Sequence, residues 1–159
     1  MRTIEIDIFK YAELSDSAKQ SAREWFSRGG YVWIDEGIDS IRAFCDHFGV
    51  NLKDYQLSPY APSYIDTDAD NHHFRGYKLK QAEKDKNLNP TGYCLDCDLF
   101  ETMYSVFKDT GDALRAFNEA IEAGKRGIIA DMEWQDSEEY IAEMMDINEY
   151  EFDEYGRRA

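Results

Sequence analysis

Residues 131–154 read DMEWQDSEEYIAEMMDINEYEFDE, with eleven acids and no base anywhere between Arg126 and Arg157. A like-charged run of this length is ordinarily a solvated tail. This one is threaded with Trp134, Tyr140, Ile141, Met144, Met145, Ile147, Tyr150 and Phe152, apolar mass that disordered acidic segments lack. The stretch therefore folds with its rings and methyl groups inward and its carboxylates outward. The rest of the chain has to supply the core it packs on.

Local pattern suggests how. Ser137 is a helix-capping residue, and Glu138 and Glu139 follow in the first turn, where the positive end of the helix favours anions. Apolar residues then recur at helical spacing to about Met145. Residues 149–153 alternate, with Tyr150 and Phe152 on one face and Glu149, Glu151 and Asp153 on the other, as in a half-buried strand. The helix carries like charges at Glu139 and Glu143 and at Glu143 and Asp146, each pair unfavourable by a few tenths of a kcal/mol.

The remaining elements follow from the same periodicities. Residues 3–9 alternate, with Ile4, Ile6 and Ile8 on one face and Glu5 and Asp7 on the other, which predicts a first strand. Ser15 or Asp16 starts a helix carrying Ala18, Ala22, Trp25 and Phe26, closed by Gly29 and Gly30. A second helix spans roughly 34–48, with Gly49 at its end. Strands are expected near 54–57 and 63–65 around a turn with two prolines, and 66–90 reads as a polar loop with one short strand or helical turn. Helices follow over 96–108 and from Thr110 or Asp112 to about Trp134. Gly124 and Gly127 weaken the latter by about 1 kcal/mol each, so a bend or break is expected there. The predicted fold is α+β: a small, mostly antiparallel sheet of the first and last strands plus the central hairpin, covered on one face by four to five helices.

Size and charge bound the function. With 159 residues, 43% of them hydrophobic, residues 1–159 read as one domain with a real core. The net charge is −15, from 33 acids and 18 bases. Such a chain repels nucleic acid and anionic membranes and is drawn to basic surfaces. Three cysteines are an odd set for a disulfide framework. MRTIEIDIF has no signal-peptide apolar region, and no apolar run approaches the ~20 residues of a membrane span. The expectation is a cytoplasmic protein with reduced thiols, a monomer or homodimer.

Motifs with chemistry are few. Cys94 and Cys97 form a CxxC with His72 and His73 upstream, a donor set suited to zinc, but the spacing is unusual and a lone CxxC is a weak signal. Asp66, Asp68 and Asp70 imitate the start of a calcium loop, yet Asn71 replaces its glycine and Tyr77 its bidentate glutamate, which leaves an acidic turn. No nucleophile elbow, phosphate loop, HExxH or dinucleotide fingerprint is present. Neither cofactor nor reaction is indicated, and an enzyme reading would need a carboxylate site that no motif marks.

The acids themselves are the better candidate. On a last strand, Glu149, Glu151 and Asp153 repeat every ~6.6 Å. If the first strand lies beside it, Glu5 and Asp7 add a second row, spaced much like successive phosphates on a nucleic-acid strand. Tyr140 and Tyr150 beside carboxylates suit arginine. The expected partner-binding set is Glu5, Asp7, Glu138, Glu139, Tyr140, Glu143, Asp146, Glu149, Glu151, Asp153 and Glu154.

Four stretches, YAELSDSAKQSAREWF, WIDEGIDSIRAFCDHFGV, NPTGYCLDCDLFE and ADMEWQDSEEYIAEMMDINEYEFDEYGRR, resemble small acidic proteins of phages and mobile elements often labelled antitoxins of toxin–antitoxin stability systems. The resemblance spans nearly the whole chain, and NEYEFDEYGRR is its most specific piece. It implies a phage or plasmid setting and an action on other proteins: an inhibitor of a nucleic-acid-acting host-defence protein, of anti-CRISPR or anti-restriction type, or an antitoxin neutralising its toxin. An assembly protein with an exposed apolar patch is a further class.

Overall fold

The structure, a computed structural model, describes residues 1–159. In chain order its elements are β1 (Phe9–Lys10), α1 (Asp16–Ser27), α2 (Ile34–His47), β2 (Leu52–Gln56), β3 (Tyr64–Thr67), α3 (Leu79–Asp85), α4 (Leu95–Thr110), α5 (Ala113–Gln135), α6 (Glu138–Ile147) and β4 (Glu151–Phe152). The fold is α+β, with six α-helices where four to five were expected. The strands form two separate antiparallel pairs, β1 with β4 and β2 with β3, in place of one sheet. The chain gathers into two compact units, residues 1–31 with 133–159, and residues 32–132. No helix is long and apolar enough to cross a membrane.

In the first unit, α1 is capped by Ser15, whose hydroxyl accepts from the Ala18 amide, and α6 by Ser137, which accepts from Tyr140. Ser137 caps as the sequence predicts, and of the two candidates Ser15 and Asp16 it is Ser15 that caps α1. Ala18 and Ala22 of α1 and Ile141 and Met145 of α6 are buried with Tyr11, Leu14 and Phe152. Trp25 meets Tyr150 and Phe152 edge-on, at centroid distances of 5.2 and 5.9 Å. Fully burying one such ring stabilises by roughly 1.5–3 kcal/mol.

The first strand is far shorter than its alternation predicts. Phe9 pairs with Phe152 and Lys10 with Glu151, and the ladder stops there. Residues 1–8 have no regular secondary structure, and Ile4, Ile6 and Ile8 are exposed. The reason lies at the other end of the chain. Past Phe152 the backbone turns, with the Gly156 amide donating to the Asp153 carbonyl and Arg158 bridging back to Phe152. No strand runs opposite residues 3–8.

In the second unit the apolar stripes of α2, α4 and α5 are buried, among them Ile38, Ile41, Phe44, Leu99, Phe100 and Phe117. Phe44 stacks on Phe117 at 5.1 Å and meets Phe100 edge-on at 5.0 Å. The expected bend in α5 is absent, since the helix is continuous through Gly124 and Gly127. Those glycines serve close packing instead. A Cβ at Gly124 would lie 2.8 Å from Leu99 Cδ2, and one at Gly127 2.9 Å from Leu95 Cδ1. The β2–β3 hairpin forms where predicted, with a register irregularity between Leu52 and Asp54. Residues 66–90 are better ordered than their polarity suggests. A 3-10 turn (Asn71–Phe74) and α3 bury Phe74, Ala82 and Asp85. Asp85 pairs with His47 Nε2 at 2.9 Å and accepts from Tyr77 and Gln81.

Candidate partner-binding surface

The first unit holds fifteen acids against seven bases, a net charge of −8. Its bases are partly committed. Arg23 pairs with Glu138, and Arg157 with Asp153. Arg158 donates to the Glu151 and Ala159 carbonyls and lies over the Tyr150 ring.

These pairings sort the predicted residues. Glu138 is a structural carboxylate: Tyr11 donates to one oxygen at 2.6 Å and Arg23 to the other at 2.5 Å. Burial pulls its carboxyl upward, but the Tyr11 and Arg23 hydrogen bonds and the Arg23 charge override this and hold it below the ordinary value. Burial, and then the Glu138 bond, push the Tyr11 phenol up to about 12. Asp153 is likewise internal in role, accepting from the Tyr155 and Arg157 amides and from Arg157 Nε. Tyr140 is half-buried, with Phe26 at 6.4 Å and Trp134 at 6.2 Å. It belongs to the core margin.

Glu139, Glu143, Asp146, Glu149, Glu151 and Glu154 are exposed and form no ion pair. They are the outward part of the predicted set. Glu5 and Asp7 are exposed too, but they lie on the irregular residues 1–8. The two-row array on neighbouring strands therefore does not form.

Two of the outward acids stand where helix physics disfavours them. Asp146 is in the last turn of α6, which contains no base, and the end of a helix carries partial negative charge. Glu149 follows the helix end with φ +54°, a left-handed conformation. Its amide donates to the Asp146 carbonyl, and Tyr150's to Met145. Glycine or asparagine is the usual residue at such a position. Asp146 and Glu149 line a cavity of about 460 Å³ with Lys10, Glu13, Met145 and Tyr150. Sequence reasoning placed Tyr150 here but missed Lys10 and Glu13, which are more than 130 residues away along the chain and carry no periodic signal.

The other constellations take different shapes. His72 and His73 gather with Asp70, not with Cys94 and Cys97. The Asp70 amide donates to His73 Nδ1 at 3.1 Å and its carboxylate accepts the His72 amide at 2.8 Å, so both groups cap the 3-10 turn. Asp68 is held by the Asn51 amide and side chain, each at 2.8 Å. Cys94 and Cys97 are exposed at the start of α4, which follows a turn and not a strand. Cys45 is buried, and burial pushes its thiol up to about 12. No family model, curated protein or solved structure matches this chain.

Proposed function

We propose that the protein is a non-enzymatic binding protein that covers a basic surface on a nucleic-acid-acting protein, a host-defence effector or a toxin, with the carboxylates of α6 and the segment after it. The observation that carries this reading is Glu149. An acid occupies a left-handed position at the negative end of a helix, beside Asp146, with no base in the last helical turn and no ion pair of its own although Lys10 lines the same cavity. Local stability favours glycine there. Residues that break local rules are commonly kept for function, and a cationic partner relieves both the crowding of charge and the unfavourable dipole. An antitoxin and an anti-defence inhibitor are two versions of this one mechanism.

The test is capture from a bacterial lysate on the immobilised protein, washed at graded salt, followed by a nucleic-acid competition assay on the captured partner. The partner should elute with rising salt, because exposed charge pairs are screened, and the protein should displace its nucleic acid. Joint charge reversal at Glu139, Glu143, Glu149 and Glu151 should abolish capture while circular dichroism is unchanged. Capture of the same partner by a folded charge-reversed variant refutes the reading.

A further inference from the structure

A second feature lies in the unit of residues 32–132. Trp33 occupies the N-cap of α2 with φ +70°, ψ +4°, and its side chain makes no capping bond. A bulky residue in the left-handed region is a genuine outlier, and at an N-cap Ser, Thr, Asp, Asn or Gly is the usual solution. The residue is 56% exposed, so burial does not account for the choice. The ring lies nearly parallel to Tyr93, at 11° with centroids 6.3 Å apart. Together with Leu95, Ile128, Asp98 and Asp131 the two rings line a cavity of about 260 Å³. The bare Gly127 faces it, and a Cβ there would sit 3.8 Å from Asp98 Oδ2 and 2.9 Å from Leu95 Cδ1.

The sign of the ligand's charge is decided by what surrounds the cavity. α2 and α4 both begin here, and helix starts attract anions. Their first turns already hold Asp35 and Glu36, and Asp96 and Asp98. Burial first, then Cys94, and after it the Asp131 and Glu36 charges, push the Tyr93 hydroxyl up to about 12. Burial and the neighbouring Glu101 hold the Asp98 carboxyl above its ordinary range. No base lines the cavity, and Lys125, just before Gly127 on α5, pairs with Glu122 on its own helix. The field is negative, so an anion is disfavoured. Near-parallel aromatic faces, two carboxylates and the aliphatic Leu95 and Ile128 match a planar cation on a methylene stem.

We propose that the Trp33–Tyr93 cavity receives the guanidinium of an arginine side chain presented by a protein partner, with the rings stacking on the cation and Asp98 and Asp131 accepting its N–H groups. This rests on the binding-protein reading above only for where the arginine comes from. The cavity chemistry stands on its own geometry.

The experiment is a two-dimensional amide and indole NMR titration of the full-length protein with N-acetyl-L-arginine methylamide, in parallel with the neutral citrulline analogue and with free L-arginine. Saturable shifts are expected at the Trp33 indole and the Gly127 amide, about tenfold weaker with the citrulline analogue. They should vanish in Trp33→Gly, a residue that accepts the left-handed backbone, and independently in Asp98→Asn/Asp131→Asn, which keeps both rings. No saturable shift, equal response to citrulline, or an undiminished titration in either variant overturns the proposal. Response to free arginine but not to the capped form overturns the protein source of the ligand. Charge reversal at Glu139, Glu143, Glu149 and Glu151 should leave this titration intact, so failure of the acidic-surface reading and failure of this one are separately visible.

Discussion

Replacing Glu149 by glycine should make the protein more stable and a poorer binder. Glu149 sits at φ +54° immediately after Asn148, the C-cap of α6. A left-handed conformation costs an L-residue about 1–2 kcal/mol, of which glycine returns roughly 0.5–1 kcal/mol through its larger unfolded-state entropy. Removing a carboxylate from the negative end of a helix adds about 0.3–1 kcal/mol. The net gain for Glu149→Gly is about 1 kcal/mol. Glu149→Gln keeps the strained backbone and removes only the charge, so it should gain about 0.3–1 kcal/mol. Salt separates the two contributions. Urea denaturation followed by circular dichroism, at low and at high ionic strength, should show the glutamine gain fading as charges are screened while the glycine gain largely persists. The glycine variant should also release the captured partner at lower salt. If Glu149→Gly is less stable than wild type, or if its gain disappears with salt, the strain assigned to this residue is wrong. If it binds as well as wild type, Glu149 is not a binding residue.

Two further substitutions, Gly156→Ala and Glu138→Gln, probe the frame that holds this surface, and Gly111→Ala in the other unit is the control. Gly156 and Gly111 share positive φ, +79° and +67°, but a Cβ on Gly111 meets open space whereas one on Gly156 falls on the Ala18 carbonyl. Gly111→Ala should cost about 1 kcal/mol, the conformational share alone. Gly156→Ala should cost about 3–5 kcal/mol and raise hydrogen exchange in residues 148–159 and in α1; equal losses for the two refute the close approach. At Glu138 the folded carboxyl is depressed, so its contribution is present above the unfolded-state value and is lost as pH falls through the folded one. Glu138→Gln should lower stability at neutral pH and flatten its decline on the acid side, and an unchanged acid limb in urea midpoints from neutral pH down to about pH 3 removes Glu138 from the linkage.

The sequence by itself determined the helices and their inward faces. Ser15 and Ser137 cap where their hydroxyls predict, and the stripes of α2, α4 and α5 point Phe44, Phe100 and Phe117 inward, because capping and 3.6-residue periodicity are local physics. It also set the charge, which is additive and needs no fold. Tertiary structure decided what depends on partners distant in sequence. Ile4, Ile6 and Ile8 alternate like a strand, but a strand needs an opposing edge, and the chain turns away after Phe152. Gly124 and Gly127 look like helix breakers until Leu99 and Leu95 are seen to need their space. The acidic stretch of residues 131–154 was legible as a folded surface. Only the fold could divide its carboxylates, assigning Glu138 to Tyr11 and Arg23 and Asp153 to Arg157, and leaving Glu139, Glu143, Asp146, Glu149, Glu151 and Glu154 facing outward. An ion pair more than a hundred residues apart along the chain, such as Arg23 with Glu138, leaves no periodic trace in a sequence.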